Sequence, residues 1–211
     1  MRIIVLGYKG NIGKPLVRAL EDHGHDVVKV SRSGGDFQLD YTNEKAIEKF
    51  FQEVGSFDAL ISVAGRDGYF GPIESIGTEK FLFSFNRKMM GQFNMVLIGR
   101  KYINDGGHFI LTSGFLSDVP NSHSLALGVV NSAVNAFAKH ASQKLASNIK
   151  VNVVSPGVVT TNADVQLGSA QVYSPDLAKV YLKVLESNKN GETIKSWNLE
   201  VDGILYRDLM D

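Results

Sequence analysis

The chain has 211 residues, 44 % of them hydrophobic, with 22 Lys plus Arg set against 22 Asp plus Glu and no cysteine. Such a chain suits a single folded domain spanning residues 1–211 with a sizeable core, and it is not a disordered one. Balanced charge gives no general pull toward nucleic acid or membrane, and the lack of cysteine excludes disulfides, thiol catalysis and cysteine-bound metal.

The first strand is Ile3 to Leu6. It ends at Gly7-Tyr8-Lys9-Gly10-Asn11-Ile12-Gly13, and Lys14 to Leu20 then has helical spacing. This strand–turn–helix opens a dinucleotide-binding βαβ unit: the glycines allow a tight turn, close approach of a pyrophosphate and close helix–strand packing. A helix N-terminus there favours phosphate charge. A magnesium-binding phosphate loop is ruled out, since the glycine spacing fails and Pro15 follows Lys14 where Ser or Thr is needed. The opening apolar run is too short for a signal peptide or membrane span, so a cytoplasmic protein is expected.

Strand and helix patterns then alternate to the end. Asp26–Val30 is a second strand with a polar exit, Ser31 to Gly35, and Phe37–Asp40 is a third. Thr42 is placed to cap a helix from Asn43 to Val54. Phe57–Val63 is a fourth strand, closed by Ala64-Gly65. After a glycine-rich loop, Thr78 starts one long helix to about Ile103. His108–Thr112 is a fifth strand, and a helix of small residues covers about Leu125 to Ser147. Lys150–Val154 is a sixth strand, ending before Pro156-Gly157. Pro175 to about Ser187 is the last helix, and Ile194–Val201 the seventh strand. The alternation predicts an α/β fold of the Rossmann type, a doubly wound parallel sheet of about seven strands with helices on both faces. No histidine pair has ligand spacing, so no metal site is expected.

By the end of the chain the residues resemble the short-chain dehydrogenase/reductase family, over nearly the whole length. Gly7-x-x-Gly10-x-x-Gly13 stands for its glycine motif. Asp58 to Gly65 is similar to its Asn-Asn-Ala-Gly stretch, with Ser62 and Val63 in place of the asparagines. Gly107 to Ser113 looks like the strand ending at its catalytic serine, and Ala133 to Phe137 like the body of its active-site helix. Val151 to Thr161, with Pro156-Gly157, resembles the turn beside the nicotinamide, and Val201-Asp202-Gly203 the end of its last strand.

The resemblance implies hydride transfer between a nicotinamide cofactor and a small carbonyl or alcohol substrate, with a general acid/base at the reacting oxygen. The family's Tyr and Lys positions fall here on Leu127 and Asn131, and its relay Asn on Lys88. Asn86, two positions early, would point about 200° away around a helix. Ser113 alone keeps the family residue. Ser113, Lys88 and Asn131 are therefore the candidate catalytic residues: Lys88 as a substitute acid, Asn131 as a partner for ribose hydroxyls. Tyr69, Tyr173 and His123 are secondary candidates.

The cofactor residues implied are Gly7, Lys9, Gly10, Asn11, Ile12 and Gly13 in the turn, and Ser31 and Arg32 after the second strand. Asp40 is expected at the adenine, Ala64 and Gly65 at the adenosine ribose, and Pro156, Gly157, Val159 and Thr161 near the nicotinamide and pyrophosphate. An acidic residue normally takes the ribose hydroxyls of NAD at the end of the second strand. Ser31-Arg32 stands there instead, which favours NADP(H) over NAD(H). Thr161 to Tyr173 is short and holds Gly168 and Ser169, which suggests an open cleft or a small substrate. Two readings stand: an NADP(H)-dependent oxidoreductase with an altered acid/base, or a catalytically silent NADP(H)-binding regulatory or redox-sensing protein. No nucleic-acid or membrane partner is expected. The Phe- and Met-rich segment Phe81–Leu97 points to a homodimer or homotetramer.

Overall fold

The computed structural model describes residues 1–65, 68–146, 148–164 and 170–197, together with the backbone of 199–201 and 204–206. Its sheet has seven strands. In chain order they are β1 (Arg2–Leu6), β2 (Asp26–Ser31), β3 (Phe37–Gln38), β4 (Phe57–Ser62), β5 (Ile103–Thr112), β6 (Lys150–Pro156) and, beyond a separate pair β7 (Val158–Thr160) and β8 (Gln171–Tyr173), β9 (Thr193–Ser196). Their spatial order is β3-β2-β1-β4-β5-β6-β9, and every pairing in this sheet is parallel. The order reverses between β1 and β4, which is where open parallel sheets leave a crevice for a ligand.

The layers follow from the period of two along a strand. Ile3 and Val5 of β1 face α1 (Gly13–Asp22) and α6 (Ser174–Glu186), whose Leu16, Leu20, Leu177 and Tyr181 complete that core. Ile4 and Leu6 face the other way. There they join Phe51 of α2 (Glu44–Val54), Met95 of α4 (Gly91–Gly99) and Val134 of α5 (Leu125–Ala141). Burial on both sides explains why β1 reads as an unbroken apolar run.

Several boundaries differ from the sequence reading. Asn43 caps α2, its side chain accepting from the Ala46 N–H at 3.2 Å, while Thr42 instead bonds Asp40. The long helix expected from Thr78 to Ile103 is divided. α3 (Thr78–Ser84) passes into a wider π-helical segment, Phe85–Met90, before α4 begins, and the helix ends at Gly99. Apolar spacing alone does not separate π from α turns. β5 starts at Ile103, earlier than expected, with an irregularity in its pairing to β4. α5 stops at Ala141, where Ser142 turns its hydroxyl back to the Lys139 carbonyl at 2.9 Å. The seventh strand ends at Ser196. Leu199–Val201 pairs instead with Ile204–Tyr206 as an antiparallel hairpin, and Asp202 and Gly203 lie outside the described residues.

His108, 2 % exposed on β5, is a structural group. Its Nε2 accepts from the Asn152 amide at 2.7 Å and its Nδ1 faces the Leu185 carbonyl at 3.4 Å, an arrangement that suits the neutral ring. Burial, reinforced by Lys150, pushes its pKa down to about 4. Because the unfolded chain titrates near 6.5, it binds more protons than the folded one between those values. Stability is therefore lost as pH falls from about 6.5 to 4, by about 3 kcal/mol in all. Denaturant titrations of wild type and His108→Gln at pH 7 and 4.5 check this, and the variant is expected to lose that part of the acid sensitivity.

Candidate functional site

At the carboxyl ends of β1 and β4 lie two adjoining cavities, of about 240 and 680 Å³, which share Lys9, Gly10, Val63, Ala64 and Gly65. The glycine turn forms their common wall. Gly7 has φ +95°, and a Cβ built on it would lie 2.8 Å from the Ala64 backbone nitrogen. Gly13 is fixed for a similar reason, its Cβ running into the Gly7 carbonyl and Tyr8. Gly10 differs: a Cβ there meets only the Gly7 oxygen, at 3.4 Å, so the fold itself does not demand a glycine. Its lack of a side chain keeps the groove open. α1 begins with no side-chain cap and no acid in its first turn, and Asn11 and Ile12 just before it line the larger cavity. The partial positive charge of that helix end is left for an anion.

The smaller cavity is lined by Ser31, Arg32, Ser33 and Tyr41. Lys9 donates from its ammonium to the Ser33 carbonyl, which ties the glycine turn to the exit of β2. Ser31 is buried and donates to the Gly34 carbonyl at 2.8 Å. Asp40 does not line this cavity. Its carboxylate accepts from the Thr42 hydroxyl at 2.7 Å and N–H at 3.1 Å, and these bonds hold its pKa below the usual carboxylate range. Tyr41, buried against Gly91, faces the cavity in its place.

The larger cleft brings Lys88, Ser113 and Asn131 together, with Leu127, Pro156, Gly157 and Val159. Lys88 donates to the Ser113 carbonyl at 3.0 Å. The residue as a whole is half-buried, and desolvation of its amine lowers its pKa from the ordinary lysine value to about 8. Ser113 and Asn131 are 3 % and 2 % exposed, and the Ser113 hydroxyl and the Asn131 carbonyl oxygen have no partner among the described residues. Buried polar atoms rarely stay unpaired, which makes these two atoms candidates for bonding to a ligand in the cleft. Leu127 presents an apolar side chain to the same cleft, and Asn86 is exposed on the far side of the helix.

Other sequence candidates stand elsewhere. Thr161 lines a further cavity of about 410 Å³ with Lys14, Arg18 and Asn11, the last of which also lines the larger cleft. Tyr69 bonds Ser75 under the Lys80 ammonium, and His123 stacks on Phe70; neither they nor Tyr173 line the large cleft. Of the short segment Thr161–Tyr173, expected to leave an open cleft or to suit a small substrate, 165–169 lie outside the described residues.

A family model described as enoyl-(acyl carrier protein) reductase matches residues 4–186. The chain belongs to the short-chain dehydrogenase/reductase family. Among solved structures, the protein lin1944 from Listeria innocua is 30 % identical, with 93 % of this chain and 100 % of that one covered and a TM-score of 0.86. A small-chain dehydrogenase solved in complex with NADPH is 29 % identical over 96 % of this chain and 97 % of its own, with a TM-score of 0.83. General stress protein 39 of Bacillus subtilis is 28 % identical over 64 % of this chain, which spans only 47 % of that relative. In this short-chain dehydrogenase/reductase, Leu127 and Asn131 both line the larger cleft.

Proposed function

We propose that the protein is an NADP(H)-dependent oxidoreductase acting on a small carbonyl or alcohol, with Lys88 as its general acid/base. The observation that carries this reading is the 3.0 Å bond from the Lys88 amine to the Ser113 carbonyl, beside the unpartnered Ser113 hydroxyl. The groove suits a dinucleotide. Gly10 leaves room for a pyrophosphate, the uncapped start of α1 and Lys9 favour its charge, and Arg32 with Lys9 takes a 2′-phosphate. The unpaired Asn131 oxygen, an acceptor only, suits a donating ribose hydroxyl. When bound, the nicotinamide supplies or takes the hydride. Ser113 holds the substrate oxygen by donating its hydroxyl proton to a hydrogen bond, and Lys88 delivers or removes the proton there. Phe115, Leu116 and Leu127 give this end apolar walls.

A second reading, a silent NADP(H)-binding regulator, is favoured by Leu127, which has no proton to give. One experiment separates the two: NADPH titration by fluorescence, followed by a panel of carbonyls and quinones. Binding with turnover supports the oxidoreductase, binding without turnover the regulator, and no binding removes both.

We also propose a homodimer or homotetramer. Leu125 and Val129 lie one turn apart on α5 and are 40 % and 41 % exposed, and Leu82, Phe83 and Leu97 are exposed on helices of the same layer. Light scattering on a sizing column is expected to give a dimer or tetramer for wild type and a smaller species for Val129→Asp, since a buried unpaired charge at an interface is costly. A monomeric wild type would contradict this assembly.

A further inference from the structure

We propose that Gln92, together with the π-helical turn Phe85–Met90, is a positioning residue that fixes where the Lys88 amine stands relative to Ser113. This rests on the reading of Lys88 as the proton carrier, but its test does not need turnover.

Gln92 is fully buried, and its amide makes three bonds. Its Oε1 accepts from the Thr112 N–H at 2.9 Å. Its Nε2 donates to the Thr112 carbonyl at 3.0 Å and to the Lys88 carbonyl at 3.1 Å. The first two copy the pairing that a neighbouring strand would give. They are needed because the pairing of β4 with β5 stops at Ile61 and Ile110, while β5 runs on to Thr112. Gln92 thus completes the sheet where β4 has left it. The Thr112 hydroxyl is held too, bonding the Ser62 carbonyl and the buried Tyr181 hydroxyl at 2.6 Å each.

The third bond reaches back to the π segment that carries Lys88. In an unbroken α-helix a four-residue step overshoots a full turn by about 40°. A π turn rotates less per residue and takes up that overshoot, so Lys88 and Gln92 share one face toward β5. The result is a closed cycle. Gln92 grips Thr112, Ser113 follows Thr112 in the chain, Lys88 donates to Ser113, and the Lys88 carbonyl accepts from Gln92. Helix and strand end are referenced to one amide group, so the amine and the Ser113 hydroxyl keep their spacing. No carboxylate lines the cleft among the described residues, and its other cation is Lys9, engaged with Ser33. Position and desolvation therefore govern Lys88.

The test follows the Lys88 amine directly, by NMR of the full-length protein with lysine side chains isotopically labelled and the Lys88 signal assigned by its loss in Lys88→Arg. In wild type, the Gln92 side-chain amide and the Thr112 N–H are expected to shift with the same midpoint as Lys88. Gln92→Met keeps the side-chain length and removes all three bonds. It is expected to raise the Lys88 midpoint toward that of free lysine, with NADPH affinity retained. Where turnover exists, kcat falls about 10–100-fold with little change in KM, as for other residues that orient a reacting group. A Lys88 midpoint unmoved in Gln92→Met overturns the proposal. Should that variant not fold, wild-type Gln92 and Thr112 signals that ignore the Lys88 titration overturn it equally. Neither result depends on whether Lys88 transfers a proton to substrate.

Discussion

Lys88→Met is expected to lower turnover by about 10²–10⁴-fold while NADPH still binds. The size follows from the lack of a replacement. Leu127 carries no proton, the Asn131 amide does not titrate, and the Ser113 hydroxyl is far too weak an acid unaided. Lys9, the other cation of the cleft, is held at Ser33 on the opposite wall of the glycine turn. Methionine keeps the apolar stem of lysine, so the half-buried site stays filled. The pH dependence gives a second check with a defined sign. Reduction uses the ammonium and declines as pH rises through about 8; oxidation uses the free amine and gains over the same range. Lys88→Arg keeps the charge, does not titrate there and loses that dependence. Stability offers a third check, independent of substrate. The folded chain releases the Lys88 proton near 8 and the unfolded chain near 10.5, so wild-type stability rises between these values. Lys88→Met should lack that rise. Unchanged turnover in Lys88→Met would take this residue out of the chemistry.

The sequence carried the architecture well because the signals were local and redundant. Ile3 to Leu6 had to be a strand buried on both faces, and Gly7 had to turn, since it closes on Ala64. What stayed hidden depended on turns and partners rather than on periodicity. Ser84, Lys88 and Gln92 recur every four residues, which suits an α-helix as well as the π turn actually present. A buried glutamine among Phe, Met and Val was the available clue, because such an amide needs partners. Asn43 and Thr42 are both good caps, and the choice was settled by Asp40, which takes the Thr42 hydroxyl. Thr161, two residues beyond Val159, lines a cavity with Lys14 and Arg18 that shares Asn11 with the larger cleft.

The proposed preference for NADP(H) rests on Arg32, and Arg32→Ala is expected to weaken NADPH binding about 10–100-fold while leaving NADH binding nearly unchanged. A charge-assisted bidentate bond contributes about 1.5–3 kcal/mol, which corresponds to that range. Arg32 is exposed, so the lower half of the range is the better expectation at physiological salt. Lys9 limits the loss. Its ammonium already bonds the Ser33 carbonyl beside Arg32, so one cation stays at the cavity without Arg32, and Lys9→Met with Arg32→Ala should cost more than either alone. Arg32→Lys should restore only part of the affinity, because lysine is a point charge and lacks the planar fork. Parallel fluorescence titrations with NADPH and NADH measure all of this, and equal losses for both would show that Arg32 does not read the 2′-phosphate. Salt separates the two causes that remain. A contact to an exposed phosphate is screened, so the NADPH advantage of wild type should shrink between low and high ionic strength. An advantage built from shape alone would persist.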